Sequence, residues 1–217
     1  MFAYAGYNNN SLECYVSADV TKLPTLFYGG VNSTPSSDSS IKLAKLVFSN
    51  ISNCKTIDTN CFSGVSYATK VHIDSLKDWL NVSFSSSTSN PLIASGAKLF
   101  INSEETWLED LIIPSENTTI KNYAFYGYDF LKSLTIGDHV GSIGASSFYA
   151  NTALTELYIG EKVTSIGSQV FYGCTALKNI VYNAEEATSA SVGFENIGSS
   201  AVVTIKGLVK RIPNSLF

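Results

Sequence analysis

The chain has 217 residues, 45% hydrophobic and only 15% charged, so it holds enough apolar material for a large core and too much for a disordered segment. A net charge of −4 and a pI near 5.2 exclude the basic field that nucleic acids and anionic membranes attract. No apolar run reaches the ~20 residues of a bilayer-spanning helix, and Met1-Phe2-Ala3-Tyr4 lacks the basic-then-apolar start of a secretion signal.

In chain order, residues 1–70 read as degraded copies of a repeat with altered lengths and one enlarged loop. Val20-Thr21-Lys22-Leu23-Pro24 with Phe27-Tyr28-Gly29 is one copy. Ile57-Asp58 with Cys61-Phe62-Ser63-Gly64 is another, Phe2 is a trace of an earlier one, and the serine-rich run Asn32 to Ser40 is the loop. Residues 71–107 break the pattern. There Asp74 or Ser75 is placed to cap a helix with Leu76, Trp79 and Leu80 on one face, and Asp78 is placed to complete a capping box. Asn90-Pro91 ends a polar loop, and Leu99-Phe100-Ile101 is expected to pair back on Trp107-Leu108 around Asn102 to Glu105.

Residues 108–217 repeat regularly. Leu108-x-x-Leu111-x-Ile113, Leu131-x-x-Leu134-x-Ile136, Leu154-x-x-Leu157-x-Ile159 and Leu177-x-x-Ile180-x-Tyr182 recur every 23 residues, as do Phe125, Phe148, Phe171, Phe194 and Phe217. The second half of the unit reads Val140-x-x-Ile143-Gly144-x-x-x-Phe148, again at Val163 to Phe171, and weakly at Val209 to Phe217. Each L-x-x-L-x-I alternates as a short strand with one buried face. One repeat cannot bury its own apolar positions, so coils must stack, with the phenylalanines plugging the space between them and Gly144 and Gly167 supplying positive-φ turns. The fold expected is an α/β repeat solenoid: a right-handed coil with a short-stranded parallel sheet, irregular or short-helical return segments and one helix-plus-hairpin insertion.

On these residues the chain resembles the BspA-type leucine-rich-repeat surface proteins of bacteria and protists, whose units read L-x-x-I-x-I-P-x-x-V-x-x-I-G-x-x-A-F-x-x-C-x-x-L. Leu154 to Leu177, with Ile166-Gly167, Phe171 and Cys174, matches nearly throughout. Departures fall at Asn117 in place of valine, at Glu186 and Ser189, and at Ser200 in place of leucine, where looser packing is expected. The asparagine of the commoner leucine-rich repeat is missing from its usual position. Residues 71–107 also resemble an insertion seen among these proteins, expected to stand out from the coils.

Chemistry-bearing groups are sparse. His72, in a strand, is expected to face solvent, and His139 to lie in a surface loop. The carboxylate pairs Glu104-Glu105, Glu109-Asp110 and Glu185-Glu186 read as solvated surface rather than a glycosidase pair. Cys14, Cys54, Cys61 and Cys174 match no metal-ligand spacing and are expected as buried thiols, Cys54 and Cys61 being the pair to check for a bridge. N-x-S/T sequons occur at Asn9, Asn32, Asn50, Asn81 and Asn117. No catalytic residue, cofactor or metal site is expected.

Outward side chains of stacked strands line up in columns. One holds Asp110, Ser133, Glu156, Asn179 and Val202; the other holds Ile112, Thr135, Tyr158, Val181 and Thr204 and is unusually apolar. A partner-binding strip of Ile112, Thr135, Glu156, Tyr158, Val181 and Thr204 follows, centred on Tyr158. Tyr126, Tyr149 and Tyr172 form a second exposed set, read as core-edge packing or as a ligand-stacking platform. The family resemblance implies a non-catalytic cell-surface module recognising an extracellular protein, such as host matrix or another cell, or a glycan. The charge balance and the lack of a long apolar run imply no nucleic acid partner and no membrane insertion in this segment, with signal and anchor expected outside it. The alternative is a structural spacer or carbohydrate-binding accessory region of a larger secreted protein.

Overall fold

The computed structural model describes residues 12–16, 20–23, 41–62, 65–66, 69–93, 96–102, 105–191 and 193–217. Phe2, Phe27 to Gly29 and the Asn32 to Ser40 run lie outside them. The chain divides into two compact units, Met1–Trp107 and Leu108–Phe217, each built from coils that stack parallel strands.

The first unit contains β1 (Leu12–Val16), β2 (Lys22–Leu23), β3 (Ile41–Phe48), β4 (Thr56–Ile57), β5 (Val65–Ser66), β6 (Lys70–Ile73), α1 (Leu76–Asn81), β7 (Ser83–Phe84) and β8 (Lys98–Ile101). One parallel sheet runs β1-β3-β6-β8, with β5 also on β3, and a second runs β2-β4-β7. Leu23 pairs with Ile57 and Ile57 with Phe84, so the two degraded copies occupy equivalent places in successive coils. The stretch expected to stand out as an insertion contributes strands to both sheets, because its apolar residues are needed inside. Trp79, Leu80, Val82 and Phe84 are buried, and the Trp79 ring packs 5.5 Å from Phe48 and 5.1 Å from Phe84. Ser75 rather than Asp74 caps α1, its hydroxyl accepting from Asp78 N at 3.1 Å. Asp74 instead ties coils together, taking the Asn50 amide on its carboxylate and Asn102 Nδ2 on its backbone carbonyl at 2.8 Å. The hairpin shrinks to one antiparallel bridge, Phe100 to Trp107.

The second unit contains β9 (Asp110–Ile112), β10 (Thr119–Ile120), β11 (Ser133–Ile136), β12 (Ser142–Ile143), β13 (Glu156–Ile159), β14 (Ser165–Ser168), β15 (Asn179–Tyr182), β16 (Ser189–Ser191) and β17 (Val202–Ile205). Its parallel sheets run β17-β15-β13-β11-β9 and β10-β12-β14-β16, so the return side is strand and turn rather than helix. Leu134, Ile136, Leu157, Ile159, Ile180 and Tyr182 face inward. The phenylalanines form one row: ring centroids are 5.6 Å apart for Phe125–Phe148, 5.7 Å for Phe148–Phe171, 4.9 Å for Phe171–Phe194 and 5.0 Å for Phe194–Phe217. A repeated inter-coil bond sets that alignment. The amides of Phe125, Phe148, Phe171 and Phe194 donate to the carbonyls of Ser147, Val170, Gly193 and Leu216.

Gly144 and Gly167 are glycine for a reason other than the one expected. Neither has a positive φ; a Cβ on Gly144 would lie 2.5 Å from Asn122 N, and one on Gly167 2.4 Å from Ala145 N, so each marks a close approach of neighbouring coils. The left-handed positions lie elsewhere, at Tyr123, Ser146, Gln169 and Ser215 in one series and Gly127, Ala150, Gly173 and Asn196 in another. Ala150, with φ 53°, bears the Cβ penalty that Gly127 and Gly173 avoid. Ala150→Gly is therefore expected to stabilise the fold by about 0.5–1 kcal/mol after allowing for the freer unfolded chain, readable as a raised urea midpoint at unchanged slope.

The departures at 186 and 189 also resolve. Ser189 pairs with Ser165 and Ala190 with Ile166, an offset of 24, and the register shift between Ile166 and Ser168 restores 23 at Ser191. With that extra residue, the valine position is filled by buried Ala187, while Glu186 is exposed and bonded to Lys210 Nζ at 2.8 Å. Asn117 sits buried in the place of Val140 and Val163, which removes that sequon from solvent, whereas Asn50 and Asn81 are exposed.

Candidate functional site

The strand columns expected from the 23-residue period are those the backbone forms. Ser133 lies between Asp110 and Glu156, and Glu156 is followed by Asn179 and Val202. Thr135 lies between Ile112 and Tyr158, followed by Val181 and Thr204. Ile112 is 71% exposed, Thr204 and Glu156 are exposed, and Thr135, Tyr158 and Val181 are half-buried.

Neighbouring polar groups fix this surface. The Tyr158 hydroxyl donates to Asp138 Oδ1 at 3.1 Å and accepts from Asn183 Nδ2 at 3.3 Å, and Asp138 Oδ1 also accepts the Glu161 amide at 3.0 Å. Desolvation, reinforced by the Asp138 carboxylate, raises the phenol above its ordinary pKa against the opposing Asn183 bond, so Tyr158 stays neutral as a donor. Glu156 Oε1 accepts from Asn179 Nδ2 at 2.8 Å, and Asp110 Oδ1 accepts from Ser133 Oγ. The first column thus carries two bonded pairs, Ser133 with Asp110 and Asn179 with Glu156, and the second is a largely apolar ledge beside it in which Tyr158 is held by Asp138 and Asn183.

Tyr126, Tyr149 and Tyr172 form a face-to-face stack with centroids 4.7 and 5.0 Å apart, and the Tyr172 hydroxyl accepts from Asn196 Nδ2 at 2.7 Å. Tyr149 is covered on both faces by its neighbours. The row therefore presents edges, which is the core-edge arrangement rather than a platform for sugar faces.

Among the described residues no group of three His, Cys, Asp or Glu is arranged to hold a metal ion, and no helix is long and apolar enough to cross a membrane. Cys54, Cys61 and Cys174 are buried thiols outside any disulfide. Cys174 shares its repeat position with Asn151. Asn151 Nδ2 donates to Phe125 O at 2.8 Å and Cys174 Sγ to Phe148 O at 3.3 Å, so the two perform the inter-coil bonding that the absent asparagine ladder would have supplied. Burial pushes the Cys174 thiol up to about 12, which keeps it protonated as a donor. His139 Nε2 lies 2.9 Å from Pro114 O, Glu109 pairs with Lys132 at 2.7 Å, and Glu104 lies outside the described residues.

His72 does not face solvent. It is 7% exposed and stacks on Phe100 at 4.7 Å, whereas Val47 and Tyr15, at the same register position on the next strands, are half-buried and 41% exposed. The adjacent register position holds Lys45, Lys70 and Lys98 on neighbouring strands, a line of lysines that sequence reading missed. Its members are 25 and 28 residues apart, so no fixed period brings them together.

Stacked parallel coils with an inward leucine-isoleucine face and one phenylalanine per turn define a leucine-rich-repeat solenoid. The BspA-type leucine-rich-repeat region matches residues 96–217 in six copies, and the chain belongs to that family. No curated protein matches it in sequence. Among solved structures it is similar to the T. pallidum leucine-rich repeat protein, at 14% identity and a TM-score of 0.47, covering 98% of this chain and 80% of that one. It is also similar to the pneumococcal vaccine antigen PcpA, at 13% identity and a TM-score of 0.36, covering 100% of this chain and 88% of that one.

Proposed function

We propose that the chain is a non-catalytic recognition module of a cell-surface or secreted protein, binding an extracellular protein partner through the outward face of β9, β11, β13, β15 and β17. The observation that carries this reading is the in-register column Ile112, Thr135, Tyr158, Val181, Thr204, with Ile112 71% exposed and Tyr158 pinned by Asp138 and Asn183. An aromatic anchor already held by Asp138 and Asn183, beside β-branched neighbours with few χ1 rotamers, loses little entropy on docking, and aromatic anchors dominate interface energies. Glu156 edges the ledge and sets the sign of the charge a partner meets.

The test is a binding panel of purified extracellular-matrix proteins beside a glycan array. Tyr158→Ala with Val181→Ser is expected to weaken a protein partner found there by at least about tenfold, with the folded spectrum unchanged. Undiminished binding by that double variant removes the ledge as the site. A second reading, a structural or carbohydrate-binding accessory region, draws on the internal bonding of the first column, which suits a surface built for stiffness. It predicts glycan-array hits and no response to the double variant.

A further inference from the structure

We propose that the fold sorts its N-x-S/T motifs into two kinds of modification site: Asn50 and Asn81 accept an asparagine-linked oligosaccharide that the folded chain tolerates, whereas the same group on Asn117 keeps the second unit from closing. This inference is independent of the protein-recognition ledge around Tyr158.

The asparagine of such a motif ordinarily lies on a surface loop, where a bulky, hydrated oligosaccharide meets only water. Asn50-Ile51-Ser52 and Asn81-Val82-Ser83 fit that pattern. Asn50, Ser52, Asn81 and Ser83 are all exposed, and the Asn50 side chain makes no capping bond to the turn Ile51–Asn53 that it precedes. Asn9 and Asn32 lie outside the described residues.

Asn117-Thr118-Thr119 is of the other kind. Asn117 is 1% exposed and fills the inward place taken by Val140 and Val163, both 0% exposed, in the next two coils. One backbone turn sets all three: the Asn117 amide donates to Pro114 O at 2.9 Å, as those of Val140 and Val163 donate to Gly137 O and Gly160 O. The Thr119 hydroxyl, which completes the motif, accepts from Ser142 Oγ of the next coil at 3.2 Å.

Transfer joins the asparagine side-chain nitrogen to the anomeric carbon of a lipid-diphosphate oligosaccharide, with loss of one amide proton and departure of the lipid diphosphate. The folded coil offers the Asn117 amide to no enzyme, so transfer there must precede folding. Closing the coil afterwards would press polar sugar rings into a close-packed interior. The pairs Thr119–Ser142 and Ile120–Ile143, which join this coil to the next, are then lost.

The full chain tests this when secreted from a eukaryotic host that attaches asparagine-linked glycans, and made in parallel in a bacterial cytosol. Peptide mass spectrometry is expected to find oligosaccharide at Asn50 and Asn81 in secreted chain, and at Asn117 only in chain retained inside the cell. Thr119→Ala and Asn117→Val, which destroy the motif at different residues, are each expected to raise the secreted yield severalfold, and Asn50→Gln is not. In the bacterial cytosol Thr119→Ala is expected to leave the yield unchanged, which separates the effect of the glycan from that of the side chain. Secreted, folded chain occupied at Asn117 overturns the proposal, as does secreted chain bare at both Asn50 and Asn81. Retained chain bare at Asn117, a secreted yield indifferent to both motif-destroying variants, or an equal gain from Thr119→Ala in the bacterium overturns it too.

Discussion

Gly167→Ala is expected to destabilise the second unit by about 3 kcal/mol or more, beyond the ordinary cost of overpacking. The added Cβ would lie 2.4 Å from Ala145 N, 2.7 Å from Ala145 Cα and 2.8 Å from Gly144 C. All three are backbone atoms of the adjacent coil, so no rotamer change relieves the clash. The coils must separate, and separation strains the pairs Ser142–Ser165 and Ile143–Ile166 together. Gly207→Ala is the control, since a Cβ there meets nothing within 4 Å. Urea unfolding of the two variants decides it. A Gly167→Ala protein within about 0.5 kcal/mol of the parent would show that the coils are not held at this spacing.

Phe148→Ala is expected to cost about 3–5 kcal/mol, in the range of large-to-small changes at closed sites. Phe148 is fully buried between Phe125 at 5.6 Å and Phe171 at 5.7 Å, so truncation opens a cavity that two stacked rings cannot both fill. Phe217→Ala removes the same ring from a place that is 56% exposed, stacked on Phe194 with an edge contact to Tyr182, and its cost should stay below about 1.5 kcal/mol. Hydrogen exchange adds a spatial readout: protection should fall first at the Phe125 and Phe148 amides, which bond to Ser147 and Val170. Equal costs at 148 and 217 would mean that the row does not act as a shared core.

How much was legible from residues alone differs between the units. From residue 108 onward, a constant offset of 23 lets sequence spacing stand for spatial neighbourhood, and the Phe row and the two outward columns follow from arithmetic. The same arithmetic misplaced Glu186 and Ser189, because one added residue before Ser189 and a bulge after Ile166 cancel within a coil. Reading Ala187 as the true core residue required the pairing itself. In the first unit, strand offsets of 32, 25 and 28 hid the lysine stripe and the fact that Trp79 and Phe84 line the interior of a coil.

The residue order by itself determined the repeat, the inward and outward faces of each strand in the second unit, and the ledge around Tyr158, since strand alternation and a fixed period are both local properties of the chain. Tertiary structure alone decided that Gly144 and Gly167 serve close approach rather than turning, that His72 is buried against Phe100, and that Lys45, Lys70 and Lys98 share a column. Those outcomes depend on which backbone lies a few ångströms away in the next coil. Where coil lengths vary, packing sets that neighbour and sequence distance does not.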